Sequence, residues 1–485
     1  MARDDKNANA AKLAELMMGK PTPGSRSTHK YPFPVEMNLN IARALSLITR
    51  FWKHNRSAVN PETDEFALAL AAELDADILE VGSGETCLTW TIPDNWAVRS
   101  GKLMTMDGKV LADYGDNPLH LWTHSTGFSG TISRDALLRD HINTDPARPN
   151  EFLYHYVNGY KSQVRDWGFS LPYRTVEAMT DPEYRVEINA DLDQNGTLKV
   201  VDAFIQGELD ETIFIMAHTC HPGQVSDGIG CIAAGAELYH HIKAGPKPRY
   251  SYRFLFSPEY FGGAAYLEKG DAEDIKNLHL GVYLDMVTTY SPLGFQRSLQ
   301  GNSRFDAIVR NVMQSHTPTP VEKPYRKLWG NDETFYNGTG FKIPTLGIGR
   351  LMHREYHYDS DNLENLSEYH LKETVWVLQR IIEVFETDYI PLPSFKGPVY
   401  LSKYGMASAL GDATPGWREN VERIQFLMDG EHSIMDIAGL LELDYFLIRD
   451  FINQFAEKGL VTKEPRPVRA ADSGSITKDG IKVEC

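Results

Sequence analysis

Between residues 184 and 387 short, β-branched apolar runs alternate with segments whose apolar positions recur at helical spacing, and this alternation restricts the fold more than any other feature of the chain. The runs at 184–188 (YRVEI), 197–205 (TLKVVDAFI), 211–216 (ETIFIM), 250–256 (YSYRFLF), 279–286 (HLGVYLDM) and 343–348 read as strands. Residues 231–241, 262–269, 304–315 and 367–387 read as helices between or after them. Such an order predicts an α/β domain whose sheet contains parallel strands and is covered by helices on both faces. The first two runs flank 191–196 (DLDQNG), which reads as a hairpin turn. It is spaced like a calcium loop but lacks the acidic bidentate residue at the loop end.

On either side the texture changes. Residues 7–19 read as a short helix and 20–28 (KPTPGSRST) as a linker, which makes 1–36 an arm. Two amphipathic helices follow, at 37–54 and 61–76. From 78 to 128 short β-type runs are broken by Gly, Pro, Asp and Asn, with a turn at Met106-Asp107-Gly108-Lys109. We read 78–164 as an inserted, mostly β domain that splits the catalytic domain into 37–77 and 165–395. The Tyr- and Trp-rich passage 154–171 reads as packing rather than as a ligand platform. Residues 389–417 are rich in Pro and Gly and mark a boundary. Beyond it, three short helices (418–427, 433–440, 444–458) and residues 459–462 resemble a winged helix-turn-helix module spanning 412–466, and 467–485 reads as a flexible tail.

Charge narrows the partners. Asp and Glu number 66 against 49 Lys and Arg, a formal net charge of −17, and a field of that sign repels nucleic acid and anionic lipid. The candidate recognition helix carries Asp444, Asp450 and Glu457 against Arg449 and Lys458, the wrong balance for phosphate contacts. The expected role of this module is therefore packing or homo-oligomerisation. Four cysteines are too few for a disulfide framework. With no apolar signal-peptide core and no run long enough to span a bilayer, the expected location is the cytoplasm, with no membrane partner.

The chemistry is densest at 217–231 (AHTCHPGQVSDGIGC), between the strand 211–216 and the helix that begins at 231. His218, Cys220, His221 and Asp227 are candidate metal ligands there, at the strand-end position where open α/β sheets bind ligands. Loop histidines bonded to backbone are the structural alternative. Further groups follow other strand ends. Glu259 comes directly after 250–256, and Asp285 ends an apolar strand where an unpaired charge would be costly. Asp332 and Glu333 lie on a Gly-flanked loop. His357 is followed by Asp359 and Asp361, placed to support it.

In order, the motifs HTCHP (218–222), SDGIG (226–230), LDM (284–286) and YHxxxDN (356–362), with Glu259 between the second and third, resemble the zinc aminopeptidase family that includes leucyl aminopeptidases and glutaminyl cyclases. The inserted β module and C-terminal winged helix resemble a bacterial aminopeptidase-like branch of it. The resemblance implies a mixed, largely parallel sheet. It also implies that His218 and Asp285 hold one metal, Asp227 bridges to a second, His357 belongs to that second ion, and Glu259 is the general base. The expected cofactor is Zn2+, as one or two ions, with Mn2+ or Co2+ as alternatives. Family members carry a ligand Glu directly after the base, where this chain has Tyr260, so the second site is left to Glu333 or water. A supporting Asp is likewise replaced by Cys220, for which Cys220 itself or His221 substitutes, or both are loop packing. Asp332, Glu333, Arg350 and Tyr356 are the candidates for binding the ends of a peptide or small amide substrate.

These readings point to a metal-dependent hydrolase of aminopeptidase type. The alternatives are an amidohydrolase or deacylase acting on a small biosynthetic intermediate, glutaminyl cyclase-like transfer, a DNA-binding regulator with a hydrolase-like sensor, and a metal-binding protein without turnover.

Overall fold

The computed structural model describes residues 39–161, 164–317, 320–406 and 417–466. The arm read at 1–36, with its short helix and linker, and the tail read at 467–485 lie outside the described residues. The chain begins with α1 (Ala42–Phe51) and α2 (Pro61–Leu74). The second starts where the Asn60 side chain accepts the backbone N–H groups of Glu62 and Thr63, with Pro61 at its first position.

Strands β1 (Asp77–Gly82), β2 (Asn95–Thr105), β3 (Val110–Asp113), β4 (Phe128–Ser133), β5 (Glu183–Asp193) and β6 (Thr197–Ile205) come next, among shorter pieces left without labels. The alternating part follows as β7 (Thr212–His218), α3 (Gly230–Ala244), β8 (Ser251–Ser257), α4 (Phe261–Lys269), β9 (Leu278–Asp285), β10 (Leu293–Gln296), α5 (Arg304–His316), β11 (Val321–Lys323), β12 (Thr345–Arg350) and α6 (Glu368–Thr387). The central sheet has the order β1–β6–β8–β7–β9–β12–β10–β11. Its middle strands β8, β7, β9 and β12 are parallel, β6 is antiparallel to both β8 and β1 on one side, and β10 is antiparallel to β12. The fold is thus α/β with a large mixed sheet.

Side-chain parity shows how the sheet is covered. Ile213, Ile215 and Ala217 of β7 pack with Leu47, Phe66, Ile232, Val309 and Val375, which come from α1, α2, α3, α5 and α6. Phe214 and Met216 point the other way and pack with Ala264, Leu267 and Tyr336. A strand with period-2 side chains and helices on both faces has no polar face, which is why every residue of β7 is buried.

A smaller antiparallel sheet, β3–β2–β5–β4, has its own core around Trp96, Leu103, Trp167, Tyr184 and Val186. Two details differ from the sequence reading. Residues 191–196 do not close a hairpin: β5 pairs with β2 and β4, whereas β6 pairs with β1 and β8. Burial explains the split. Tyr184, Val186 and Ile188 of β5 pack in the small core, but β6 is apolar on both faces, with Leu198 and Val200 on one side of the large sheet and Val201 and Ala203 on the other. Strand β1, which opens the segment 78–164, likewise pairs in the central sheet rather than the small one.

After α6 come β13 (Tyr389–Pro393), helices α7 (Trp417–Leu427), α8 (Ile434–Leu441) and α9 (Tyr445–Glu457), and β14 (Val461–Pro465). Strand β14 pairs with β13, so the last strand ties back to the chain that precedes the three helices. The helices share a core with α5 and α6. Arg304 of α5 reaches Asp388 at 2.5 Å and Asp436 at 2.6 Å, and Arg449 of α9 reaches Glu383 of α6 at 2.5 Å. Among the described residues no helix is long and apolar enough to cross a membrane.

Candidate metal centre

Because β8, β7 and β9 are parallel neighbours, their carboxyl ends share one rim, the place where sheets of this kind bind ligands. His218 is the last residue of β7 and Asp285 the last of β9. Glu259 lies two residues beyond β8, Asp227 in the tight turn Val225–Ile229 that leads into α3, and His357 in the loop after β12. His218 Nε2 lies 3.1 Å from Asp227 Oδ1 and 3.9 Å from Asp285 Oδ1. His357 Nε2 lies 3.0 Å from Asp227 Oδ2. Asp227 therefore stands between two histidines contributed by segments far apart in the chain.

His221 completes the arrangement. Its Nε2 is 3.9 Å from Asp227 Oδ2 and 4.0 Å from Glu259 Oε2. Two donor sets result, His218–Asp227–Asp285 and His221–Asp227–His357, each with ligand atoms within 4.8 Å of one another and with Asp227 common to both. His218, Cys220 and His221 form a third such group. Glu333 does not enter these sets.

The residues fit a divalent ion on two counts. Asp227 Oδ2 and His357 Nε2 lie 3.0 Å apart, are buried and have no hydrogen-bond partner among the described residues, so both hold donor atoms that a shared ion would satisfy. Imidazole nitrogens with carboxylate oxygens are also the donor set that suits zinc and its neighbours. Electrostatics agree. Burial alone would raise the Asp227 carboxyl, but the imidazoles of His221, His218 and His357 around it hold it well below its ordinary value. Burial raises Asp285, against the pull of His218, and pushes His221 well below its ordinary value.

Much of the surroundings serves to hold this loop. Arg56, fully buried, donates to the carbonyls of Thr219, His221 and Gln224 and, from the other side, to those of Phe51 and Trp52. Asp361 accepts the N–H of Ser226 at 2.8 Å and that of Asp227 at 3.0 Å, one on each oxygen. Asn331 donates to Asp285 Oδ2 at 2.9 Å. Residues 152–154 brace the His357 loop: Tyr154 N–H donates to the His357 carbonyl and Phe152 N–H to Asp359. His221, Tyr260, Met286 and His357 all have positive φ, a conformation that costs energy in residues with side chains and clusters at functional sites. Gly228 (φ +111°) is required outright, since a Cβ there would sit 2.8 Å from the Cys220 carbonyl.

Glu259 faces the cluster from β8. Its Oε2 accepts the Tyr160 hydroxyl at 2.5 Å, and its N–H donates to Cys220 Sγ at 3.4 Å. Burial raises its carboxyl to about 7, with His218 and the Tyr160 bond pulling the other way. The aromatic passage read as packing thus reaches the site. Tyr260 points away, its hydroxyl donating to the Gly330 carbonyl.

Three of the four substrate-binding candidates are engaged in the scaffold. Asp332 accepts from Tyr260 N–H and Gly263 N–H at the start of α4. Glu333 accepts from Asn331 N–H and the Gln296 amide. Arg350 spends its donors on the carbonyls of Val287, Ser291 and His370 and on Glu373. A strand-end carboxylate or guanidinium looks alike in sequence whether it faces the rim or the layer beneath. Tyr356 is at the site, stacked on the His357 ring at 3.9 Å. Arg56 and Tyr160 have no assignment from sequence, whereas His221 is read there as a candidate ligand but placed in neither metal set. Nothing in the sequence around Arg56 or Tyr160 signals their part in the site.

The model of the family described as Domain of unknown function (DUF4910) matches residues 45–388. A curated Clostridium acetobutylicum protein, named for polysaccharide biosynthesis and an aminopeptidase-like domain, is 28% identical over 374 residues, covering 75% of this chain and 82% of that protein. Among solved structures, one from Clostridium acetobutylicum described as a peptidase superposes with a TM-score of 0.78 at 24% identity, covering 87% of this chain and 96% of the other. The zinc aminopeptidase BSAP of Bacillus subtilis does so with a TM-score of 0.53 at 15% identity, covering 72% and 96%. At these identities the two structures establish a common fold.

Proposed function

The chain belongs to the family described as Domain of unknown function (DUF4910), and on that footing we propose that it is a metal-dependent hydrolase of aminopeptidase type. The observation that carries the reading is the convergence of His218, His221, Asp227, Asp285 and His357 on one rim, in two donor sets that share Asp227. The fold shared with a zinc aminopeptidase supports it.

In this reading His218, Asp227 and Asp285 would hold one divalent ion and His221, Asp227 and His357 a second, with His221 standing where the family pattern has a carboxylate and this chain has Tyr260. Such an ion supplies a polarised scissile carbonyl and a water acidic enough to attack near neutral pH. The remaining steps belong to the protein. Glu259 takes a proton from the attacking water and returns it to the leaving nitrogen, a role suited to a carboxyl raised to about 7. Tyr160 holds Oε2 of that carboxylate. Arg56 and Asp361 keep the loop of residues 219–227 rigid, so that reacting groups are placed before substrate arrives.

A second reading, a deacylase or amidohydrolase on a small biosynthetic intermediate, draws on the name of the Clostridium relative. The regulator reading loses support from α9, whose Arg449 is paired with Glu383 and Asp450 and does not face outward as a free cation.

The test is Glu259→Gln in the zinc-loaded protein, assayed on aminoacyl anilides and small N-acyl amides with metal content measured in parallel. Turnover is expected to fall at least about a hundredfold with zinc retained, the usual weight of a general base. Unchanged turnover would remove Glu259 from that role.

A further inference from the structure

The two ring nitrogens of His218 and of His221 face different surroundings. Their Nε2 atoms look onto the rim, toward Asp227, Asp285 and Glu259. Their Nδ1 atoms turn the other way and lie 2.9 Å from one another. Cys220 Sγ closes a triangle with them, 3.4 Å from His218 Nδ1 and 3.3 Å from His221 Nδ1. All three residues are buried, and the loop that carries them is held by the Arg56 bonds to the Thr219 and His221 carbonyls.

This triangle is unusual for histidines that would hold metal through Nε2. Such a residue ordinarily gives its other ring N–H to a carboxylate, a carbonyl or water. Here, among the described residues, the hydrogen bonds of both Nδ1 atoms go to one another and to sulfur. Two N–H groups cannot donate to each other, so the pair has no acceptor unless the sulfur serves both. The spacing has a second meaning. A closed-shell ion with bonds of about 2.0–2.1 Å to nitrogen and about 2.3 Å to sulfur in tetrahedral directions sets nitrogens about 3.3 Å apart and nitrogen about 3.6 Å from sulfur. Every edge of the triangle is within about half an ångström of those values.

We propose that His218 Nδ1, His221 Nδ1 and Cys220 Sγ form a separate, soft metal site for a thiophilic ion of the Cu+ class, and that filling it empties the rim. The proposal rests on the hydrolase reading for the rim ions and on the triangle alone for the soft site. Two imidazoles and one thiolate in a three-sided arrangement suit Cu+, whereas the carboxylates of the rim suit harder ions. The Glu259 N–H, 3.4 Å from Sγ, supports negative charge on the sulfur. Exclusion follows from the electron pairs. A neutral imidazole offers one nitrogen lone pair, either on Nε2 to the rim or on Nδ1 to the soft ion. When Cu+ binds, the thiol proton leaves to solvent, each imidazole proton moves from Nδ1 to Nε2, and three dative bonds form without change of oxidation state. Each Nε2 then carries hydrogen, and both rim sets lose a histidine.

The experiment adds Cu+, buffered by bicinchoninate and without oxygen, to the full-length zinc-loaded protein and follows copper uptake and zinc release together. The parent should take up about one Cu+ per chain and release at least about one zinc. Cys220→Ser, loaded with zinc in the same way, should do neither. A chain with Cys87→Ala, Cys231→Ala and Cys485→Ser combined keeps only Cys220 and should do both, which decides the assignment even if the serine variant does not fold. X-ray absorption at the copper edge of the parent should show one sulfur and two imidazole nitrogens around the ion. No uptake by the parent, uptake without release from a chain that held zinc, a copper shell without sulfur, uptake unchanged in folded Cys220→Ser, or loss of uptake in the folded triple variant would overturn the proposal. A protein that holds zinc but takes no Cu+ would sink this inference and leave the hydrolase standing. One that holds no zinc yet binds Cu+ through Cys220 would do the reverse.

Discussion

Replacing Arg56 by methionine should loosen the metal-binding loop more than any substitution of a ligand. The guanidinium is fully buried and makes five bonds, to the carbonyls of Phe51 (2.7 Å), Trp52 (2.9 Å), Thr219 (3.1 Å), His221 (2.7 Å) and Gln224 (3.0 Å). Methionine fills a similar space but donates to none of them. Removing a buried charge recovers part of its desolvation, while the inward-facing carbonyls each lose a donor; those of Phe51 and Trp52 keep one, from His54 N–H and Gly223 N–H. A buried carbonyl left without its donor costs about 1–3 kcal/mol, and with several affected a net loss of about 3–5 kcal/mol follows after the recovered desolvation is set against it. At about 2 °C per kcal/mol for a domain of this size, the melting temperature should fall by about 6–10 °C. Since two of the freed carbonyls belong to His221 and Thr219, zinc should also stabilise the variant less than the parent. Lysine, with a charge but without the planar fork, should fall between the two. Calorimetry with and without zinc measures both effects. A methionine variant that melts within about 1 °C of the parent and gains equally from zinc would refute the view that Arg56 staples the loop.

His221→Ala should lower zinc stoichiometry by about one ion per chain while leaving the His218–Asp227–Asp285 set able to bind, measured by titration with elemental analysis. The Arg148–Glu151 pair, which also reaches Arg354 and Ser360 of the His357 loop, should show in the pH dependence of stability. Bonding by Arg148 holds the Glu151 carboxyl at about 2, below its ordinary 4.5, so its stabilisation is present above about 4.5 and lost as pH falls toward 2. Glu151→Gln should therefore be less stable than the parent at pH 7, by roughly 2 kcal/mol after solvent screening, and should converge on it in acid thermal melts.

The parts of this molecule legible in its sequence are those with a period or a motif. The continuous apolar run of β7 follows from burial on both faces of the sheet and the helical spacing of α6 from burial of one side against it, so the α/β layers could be read directly. His218, Asp227, Asp285 and His357 could be proposed because each lies at a strand end or in the loop that follows one, within a recognisable motif. What stayed hidden depends on distance in the chain. Arg56 lies 163 residues from the Thr219 carbonyl it binds, and nothing in residues 37–76 marks an arginine that turns inward. Tyr160 meets Glu259 across 99 residues, and a tyrosine in an aromatic passage looks the same whether it packs or bonds. The misread turn at 191–196 has the same origin. Its local chemistry is that of a hairpin, and only the separate cores awaiting β5 and β6 send the two strands into different sheets.

An anomalous-difference map from crystals of the zinc-loaded protein, measured across the zinc edge, tests the central claim most directly. It should show density between His218, Asp227 and Asp285 and a second peak between His221, Asp227 and His357, with Asp227 touching both. Density at neither place, or zinc bound only at residues outside these sets, would contradict the account.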